Sequence, residues 1–479
     1  LGNPPFIGKQ FRSAEQNADL EFSCSDVPNF KTLDYVCAWY IKAAKFLELL
    51  SDKGGNLSGS EGVLKTGSGQ ANDTRPIGRV SACAVAFVST NSITQGEQVG
   101  VLWSYLLAKG IKIHFAHRTF KWSNEASGKA AVFCVIVGFG LEKPTKRRLF
   151  DYDDPKAEAH ELSVQNINPY LVDAPDIVIT NRANPLSGGI PEIVFGNMPN
   201  DGGHLLMTRS EKDVFLAAEP EAAKFIKRFV GAYEFINGVE RYCLWLNDAN
   251  PLEWRKLKAV VERVSKVKRH REASNRKTTQ LLANTPYLFG EIRQTNADYI
   301  LIPSVSSEAR RFVPIGFLSA DVIASNLVMF VPNARLYHFG VLTSTMHNAW
   351  MRQVCGRLKG DYRYSNKLVY NNFPWPLLKD QGEGIKDKAK ERVEQTAQGI
   401  LDARAKFPEA TLADLYDPLT MPKELLDAHR ANDEAVDAAY GKRRFKTELE
   451  RLEFLFELYR KYTEPLVGNI DKKPRKRKA

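Results

Sequence analysis

Two apolar runs, a third strand candidate and one amphipathic segment between residues 82 and 139 constrain the fold of this chain more than any other feature. Residues 82–88 and 130–139 are short continuous apolar runs of the buried-strand type, and residues 111–116 form a third strand candidate. Residues 95–109 carry apolar side chains at helical spacing. The order strand, helix, strand, strand predicts an α/β fold, the second half of a doubly wound sheet.

Asn3, Pro4, Pro5 and Phe6 form the stretch with the most specific chemistry. The residue before a proline is pushed into extended backbone, and prolines fix their own φ and carry no N–H. The Asn3 side-chain oxygen and the Pro4 carbonyl can therefore accept the two hydrogens of one amino group. Phe6 offers a face against which a base can lie. Active groups gather beyond the carboxyl ends of strands in such sheets, where we expect Asn3, residues 89–92 and the loop 117–127.

The tetrad at residues 3–6 resembles motif IV of the DNA amino-methyltransferases in its adenine-N6 form. A predicted helix at 33–47 containing Asp34, the stretch Phe87–Ile93 and the stretch Phe120–Ala126 follow in the order of the γ-class adenine methyltransferases. The resemblance is closest to the MmeI-like type IIL restriction–modification enzymes. It implies transfer of a methyl group from S-adenosylmethionine to the N6 amine of an adenine flipped out of double-stranded DNA.

The same resemblance assigns roles to two further residues. Phe120 matches the aromatic residue that stacks on the flipped adenine, and a core aromatic beside Trp122 is the alternative. Asp34 is assigned to the cofactor side, and a helix N-terminal acid is the alternative. The family's glycine-rich cofactor loop would precede Leu1, so we expect a fragment that is inactive alone. Residues 51–78 are rich in Gly and Ser and predict a flexible loop.

A strongly basic segment lies between residues 255 and 277, and Val260, Val264 and Val267 give it one apolar stripe at helical spacing. Its cations outnumber the acids available for pairing within the helix, which favours contact with phosphates over a solvated basic helix. The predicted contacts to the DNA backbone are Arg263, Lys266, Arg269 and Arg271.

Lys359, Asp361 and Arg363 alternate, so on an extended segment their side chains would point the same way. Lys and Arg read guanine, and Asp accepts from cytosine N4. The resemblance places base-reading positions in this stretch; a charged exposed strand is the alternative. Asn326 and Leu327 are further candidate readers.

The remaining sequence completes a four-part division. Residues 1–165 are predicted to be the C-terminal part of a methyltransferase catalytic domain, and 166–376 an α+β target recognition domain with a strand at 176–179 and an acidic helix at 211–229. Residues 377–470 form a predicted helical domain with helices at 386–407, 422–440 and 447–462, and residues 471–479 a disordered basic tail.

The net charge of +11 and the pI near 9.1 favour a polyanionic partner. The sequence has no run of 18 apolar residues and no CxxC pair among its six cysteines, which predicts no membrane span and the reduced thiols of a cytoplasmic protein. The histidines show no ligand spacing, so no metal site is predicted. Two other functions stay open, a non-catalytic sequence-specific DNA-binding module and an RNA methyltransferase with the same tetrad.

Overall fold

The computed structural model describes residues 1–56, 83–122, 132–154, 157–376, 383–441 and 444–467. These residues divide into two compact units. Unit 1 contains Leu1–Asn181 together with the chain from Leu452 onward, and unit 2 contains Arg182–Arg451. The predicted boundaries at 165, 376 and 470 stay predictions. Most of the loop predicted at 51–78 and all of the predicted tail lie outside the described residues.

Among its described residues, unit 1 contains one five-stranded sheet, with two α-helices before its first strand and one α-helix between its first and second strands. Its elements are α1 (Ala14–Cys24), α2 (Cys37–Asn56), β1 (Ala84–Thr90), α3 (Gly96–Ala108), β2 (Lys112–Trp122), β3 (Val132–Gly140), β4 (Arg147–Asp151) and β5 (His160–Val164). The strand order is β1-β3-β2-β4-β5, and β3 lies antiparallel between β1 and β2. The predicted Rossmann-like half-sheet is thereby confirmed.

Three sequence predictions in unit 1 need correction. Strand β2 continues to Trp122, so residues 117–122 belong to the sheet and not to a loop, because β3 offers hydrogen-bonding partners as far as Val132. Residues 176–179 form no strand, since this apolar segment has no ladder partner among the described residues. Residues 51–56 continue helix α2 and are not part of a loop.

Large aromatic side chains fix α2 and α3 against the sheet. Tyr40 of α2 is buried, stacks on Phe139 with ring centroids 5.3 Å apart, and its hydroxyl lies 2.8 Å from the Ser89 hydroxyl. Trp103 of α3 is fully buried and donates its indole N–H to the Ile93 carbonyl at 2.8 Å. Each such side chain contributes roughly 1.5–3 kcal/mol by burial, so the carboxyl edge of β1 is firmly supported.

Unit 2 combines small sheets with helices. Its strands are β6 (Val194–Phe195), β7 (Leu206–Thr208), β8 (Ile226–Val230), β9 (Arg241–Leu244), β10 (Tyr299–Pro303), β11 (Val305–Ser306), β12 (Gly316–Leu318), β13 (Ile323–Ala324), β14 (Val328–Pro332), β15 (Gly356–Leu358) and β16 (Asp361–Arg363). Its helices are α4 (Arg209–Ala218), α5 (Ala232–Asn237), α6 (Pro251–Trp254), α7 (Lys258–Glu272), α8 (Lys277–Leu281), α9 (Leu336–Thr343), α10 (Thr345–Val354), α11 (Glu383–Ala405), α12 (Leu412–Leu415) and α13 (Lys423–Ala439).

The sheets of unit 2 are β12-β10-β14-β6, β11-β16-β15 and β13-β8-β9-β7. Helix α7 packs its valine stripe into the core that also contains Phe215 and Trp254, which confirms the predicted amphipathic helix. The helix predicted at 211–229 is wrong beyond Ala218, because Pro220 ends it and β8 takes over from residue 226.

The predicted C-terminal helices are confirmed as α11, α13 and α14 (Glu448–Val467). Helices α11 and α13 pack against each other and against α9 within unit 2. The apolar side chains Leu452, Leu455, Phe456 and Tyr459 of α14 are buried, and the ring of Phe456 lies 5.1 Å from that of Tyr170 within unit 1. Among the described helices, none combines the length and apolar character needed to cross a bilayer.

Candidate catalytic loop and nucleic-acid interface

The chain start lies along the free edge of β1. Gly2 pairs with Phe87 in a parallel bridge, donating its N–H to the Ala86 carbonyl and accepting from the Val88 N–H, both at 3.0 Å. A Cβ on Gly2 would come within 3.0 Å of the Phe87 ring, so glycine permits this close approach. Since the bridge is parallel, the residues after Gly2 leave the sheet at the same edge as the carboxyl end of β1.

Two hydrogen-bond acceptors of the tetrad have no partner among the residues that the structure describes. Asn3 is exposed and Pro4 is buried. Neither the Asn3 side chain nor the Pro4 carbonyl has a hydrogen-bond partner in the part of the chain that the structure describes. Phe6 is half-buried beside them. This arrangement can accept two hydrogens from one external amino group.

Asp34 holds the chain that follows the tetrad. Its carboxylate accepts from the Lys9 N–H at 2.9 Å, the Ser92 hydroxyl at 2.7 Å and the Gln98 amide at 2.6 Å. Both oxygens therefore already have partners within the protein. The sequence did not single out Gln98, although its position in the first turn of α3 at the strand edge was a usable signal.

Phe120 lies near the carboxyl end of β2 and is paired with Cys134 of β3. Thr90 of β1 is paired with the same Cys134 from the other side of β3. A register irregularity between His117 and Phe120 precedes it, and such bulges redirect side chains. Phe120 and Thr90 are thus at the same level of the sheet edge.

An aromatic cluster surrounds the half-buried Phe120 ring. The ring stacks on Tyr152 at 5.5 Å and lies 6.4 Å from His117 and 6.1 Å from Trp122. The Tyr152 hydroxyl is 2.9 Å from Nδ1 of His117, and burial, with a smaller contribution from Arg148, lowers the pKa of that imidazole. His117 and Tyr152 are members of the site that sequence reasoning missed.

The predicted base-reading stretch is a tight hairpin. Strands β15 and β16 pair Leu358 with Asp361, and the turn consists of Lys359 and Gly360. Lys359 has a left-handed backbone with φ 57°. The prediction that Lys359, Asp361 and Arg363 share one face of an extended segment is therefore wrong for Lys359, because the turn interrupts the alternation.

The hairpin nevertheless exposes both cations. Lys359 and Arg363 are exposed and make no side-chain hydrogen bond within the described ranges, and Tyr362 between Asp361 and Arg363 is buried. Two residues missed by sequence reasoning support the turn: Arg357 donates to the Gly360 carbonyl at 2.8 Å and pairs with Glu308 at 3.2 Å.

The turn that contains Asn326 lies next to this hairpin. The Leu327 carbonyl accepts from the Ser304 N–H at 3.3 Å, and the Ser304 carbonyl accepts from the Tyr364 N–H at 2.9 Å. Asn326 is half-exposed and Leu327 is 62% exposed. The structure thus brings the candidate readers Asn326, Asp361 and Arg363 into one neighbourhood.

The four predicted phosphate contacts on α7 have different environments. Arg269 is exposed without a side-chain hydrogen bond inside the described residues, whereas Lys266 is half-exposed and pairs with Glu262 at 2.7 Å. Arg263 is half-buried and donates to the His204 carbonyl at 2.7 Å. Lys266 and Arg269 thus present the more accessible cationic groups.

Arg271 contradicts the prediction. Its side chain is fully buried. The five N–H groups of its guanidinium donate to the carbonyls of Pro199, Asn200, Leu282, Thr285 and Leu288 at 2.7–3.0 Å. A phosphate has no access to this side chain, so Arg271 is a structural residue.

The described residues supply no evident cradle for a cofactor or a metal. They include no glycine-rich turn that joins a strand of the unit 1 sheet to a helix, and Asp34, the predicted cofactor residue, has both oxygens occupied by protein donors. Within the same residues, no three His, Cys, Asp or Glu side chains cluster as metal ligands.

Comparison with known proteins identifies matching regions along the chain. Residues 1–58 and 73–151 match the MmeI DNA-methyltransferase domain, residues 173–377 the MmeI target recognition domain, and residues 385–467 the MmeI C-terminal domain. A curated relative, DNA methyltransferase A of Bacillus subtilis (strain 168), is 41% identical over 97% of this chain and 48% of its own length.

The solved structure of the type IIL restriction–modification enzyme MmeI in complex with DNA is also similar. It is 45% identical with a TM-score of 0.78, over 97% of this chain and 57% of the MmeI chain. The chain thus spans about half the length of these relatives.

Fold, sites and matches together define the class: a region matching a DNA-methyltransferase domain is followed by a target recognition domain and a C-terminal domain. Within that class, the chain belongs to the MmeI-like family of type IIL restriction–modification enzymes.

Proposed function

We propose that the protein containing this chain is a site-specific DNA methyltransferase of a restriction–modification system, which methylates the N6 amine of a flipped adenine. The observation that carries the proposal is the pair of free acceptors on Asn3 and Pro4 at the carboxyl edge of the half-sheet, among the residues that the structure describes. Support also comes from the relatives, one named a DNA methyltransferase and one solved as a restriction–modification enzyme with DNA.

The chemistry assigned to the loop is orientation of the accepting amine. The Asn3 oxygen and the Pro4 carbonyl accept the two amine hydrogens, which draws the nitrogen lone pair out of conjugation with the purine ring and directs it at the methyl donor. S-adenosylmethionine supplies the methyl group when bound. The catalytic gain comes from positioning and fixed dipoles, and it requires no proton transfer by a titrating side chain.

The two aromatic residues are assigned to hold the adenine ring. Three inter-strand steps of about 4.8 Å separate the Gly2 segment from β2, so about 14 Å lies between the backbones that carry Asn3 and Phe120. Side chains directed inward from both ends, with a purine between them, can span that gap. Stacking contributes about 1–3 kcal/mol per base and offsets the few kcal/mol that flipping costs.

Double-stranded DNA is the proposed partner of unit 2. The hairpin β15–β16 with Lys359, Asp361 and Arg363, and the adjacent turn with Asn326, are assigned to base readout in the major groove. The outer face of α7, with Lys266 and Arg269, is assigned to phosphate contacts. A cytoplasmic location is proposed with this function, since such an enzyme acts on cellular DNA.

The decisive experiment is nucleoside analysis of duplex DNA after incubation with the complete protein and S-adenosylmethionine. We expect N6-methyladenine by mass spectrometry. Methylated cytosine, or methylation of structured RNA in preference to duplex DNA in a salt titration, would refute the proposal.

A second function is favoured by the absence of a cofactor cradle among the described residues: this chain alone acts as a non-catalytic DNA-binding specificity module. Calorimetry separates the two functions. We expect the chain alone to bind duplex DNA and to show no micromolar binding of S-adenosylmethionine; such binding would exclude the purely non-catalytic alternative.

Phe120→Ala is expected to lower the single-turnover methylation rate of the complete protein about 5- to 150-fold, because about 1–3 kcal/mol of stacking on the flipped base is lost. Phe120→Tyr keeps the ring and serves as the control, with a rate close to that of the wild type. Fluorescence of 2-aminopurine at the target position reports whether the base still leaves the helix. Equal methylation rates for the two variants would show that the Phe120 ring does not stack on the flipped base.

Lys359→Ala and Lys266→Ala are expected to weaken DNA binding in different ways. Loss of a base contact by Lys359 should relax preference at one base pair by about 1–3 kcal/mol, whereas loss of the Lys266 ammonium should weaken all sequences alike and reduce the salt slope by about 1. Competition binding against a library of single-base variants measures both. If the two variants give the same profile, Lys359 is not a reader.

A further inference from the structure

The four residues of the tetrad form a bridge that is anchored at both ends. Upstream, Gly2 is fixed to β1 by two backbone hydrogen bonds of 3.0 Å. Downstream, the Ile7 carbonyl accepts from the Tyr35 N–H and the Lys9 N–H donates to Asp34 Oδ1, both at 2.9 Å. Between these anchors, Pro4 and Pro5 have no N–H to donate. The position of Asn3 therefore depends on the two anchors.

The downstream anchor is held by a reciprocal pair between Asp34 and Gln98. The Gln98 side-chain amide donates to Asp34 Oδ2 at 2.6 Å, and its Oε1 accepts from the Asp34 backbone N–H at 2.9 Å. Both side chains are half-buried, so the pair is only partly exposed to water. Gln98 belongs to α3, which is fixed to unit 1 by the buried Trp103.

A second connection runs from Asp34 to the end of β1. The Ser92 hydroxyl donates to Asp34 Oδ2 at 2.7 Å and lies 2.9 Å from the Thr90 hydroxyl. Thr90 is the last residue of β1, the same strand that holds Gly2. Both ends of the tetrad are thus connected to β1 by hydrogen bonds, which limits their movement relative to each other.

We propose that Asp34, Gln98 and Ser92 are positioning residues that set the geometry of the Asn3–Phe6 loop for attack. The inference rests on the proposed function, because it concerns the same transfer step. A displacement of about 1 Å at a reacting centre can reduce a rate about 100-fold, so loosening one anchor should slow chemistry without removing any group that contacts the base.

The reciprocal pair allows a compensated test. In Asp34→Asn, with the amide nitrogen in the place of Oδ2, the new hydrogens would face the Gln98 amide hydrogens and that bond would be lost, while the Ser92 hydroxyl can rotate to accept from the new amide. Adding Gln98→Glu reverses the direction of that bond, because the new carboxylate accepts both from the introduced side-chain amide and from the backbone N–H at position 34. The Lys9 N–H keeps an acceptor in both variants. Asp19→Asn is the matched control, since Asp19 accepts only from the Tyr35 hydroxyl beside this turn, at 2.7 Å, within the described residues.

The experiment measures single-turnover methylation by the complete protein, the Kd values for DNA and S-adenosylmethionine, and amide exchange of residues 7–9. We expect Asp34→Asn to slow transfer at least about 10-fold and to speed exchange at Lys9, with both Kd values within about twofold of the wild type. The double variant should recover most of the rate and the exchange protection, and Asp19→Asn should change neither.

Two results would overturn the inference. A weakened Kd for S-adenosylmethionine in Asp34→Asn that the double variant does not restore would assign Asp34 to the cofactor. A wild-type rate in a folded Asp34→Asn variant would show that the anchor is dispensable. A wrong proposed function would give a different result: the wild-type protein would form no N6-methyladenine, although the amide exchange rates of the variants would still change as expected.

Discussion

In the complete protein, Asn3→Ala is expected to reduce methyl transfer at least about 1,000-fold while the affinity for duplex DNA stays nearly unchanged. Loss of one preorganised polar group at a reaction centre costs about 100- to 1,000-fold, and in the proposed mechanism the lost acceptor also orients the lone pair. The Asn3 side chain is exposed and has no hydrogen-bond partner in the described part of the chain, so its removal should shift the free energy of unfolding by less than about 0.5 kcal/mol.

The measurement is transfer of a labelled methyl group in a single turnover, with DNA affinity followed by fluorescence anisotropy. Asn3→Asp is the matched control, because the carboxylate keeps an oxygen of the same reach and should retain more activity than alanine. Equal losses of methylation and DNA affinity in Asn3→Ala would argue against an amine-orienting role and for a general contact to DNA.

The sheet edge that carries the tetrad was largely predictable because it depends on local patterns. Apolar runs at 82–88 and 130–139 specified strands, and the proline pair limited the backbone around Asn3. The anchoring of the loop was not predictable, because Asp34 and Gln98 are 64 residues apart and meet only in the folded chain. The same holds for the contact of Phe120 with Tyr152.

The wrong predictions in unit 2 arise where a turn or helix-breaking residue was present but the prediction followed the pattern of the longer segment. Lys359 alternates with Asp361, yet the following Gly360 signals a two-residue hairpin turn, and that turn places Lys359 in left-handed backbone. The acidic segment 211–229 was predicted as one helix, although Pro220 marks its end. In both cases the turn or breaker residue determined the outcome.

Arg271 illustrates a signal hidden in a basic run. The buried positions of α7 are Val260, Val264 and Val267, and continuing this spacing by four residues leads to Arg271. An arginine on the apolar stripe of a helix is expected to lie inside and to find acceptors there. Composition alone grouped Arg271 with the exposed cations of the basic segment. Arg269, two residues earlier, is such a cation and faces the solvent.

Arg271→Lys is therefore expected to destabilise the part of unit 2 around α7 by about 3 kcal/mol. Lysine has three N–H donors against the five that Arg271 uses, so at least two of the five carbonyls lose their partner, and each buried unsatisfied group costs about 1–3 kcal/mol. Chemical denaturation gives the free energy of unfolding, and hydrogen exchange should show early opening of residues 196–206 and 279–290.

Arg269→Ala is the control on the same helix, and it separates the two roles of arginine. Its side chain is exposed, so stability should change by less than about 0.5 kcal/mol, while affinity for every DNA sequence falls and the salt slope decreases by about 1. Under conditions in which it stays folded, Arg271→Lys should bind DNA as the wild type does. Reduced DNA affinity in a fully folded Arg271→Lys variant would restore Arg271 to the phosphate-binding surface and refute its structural role.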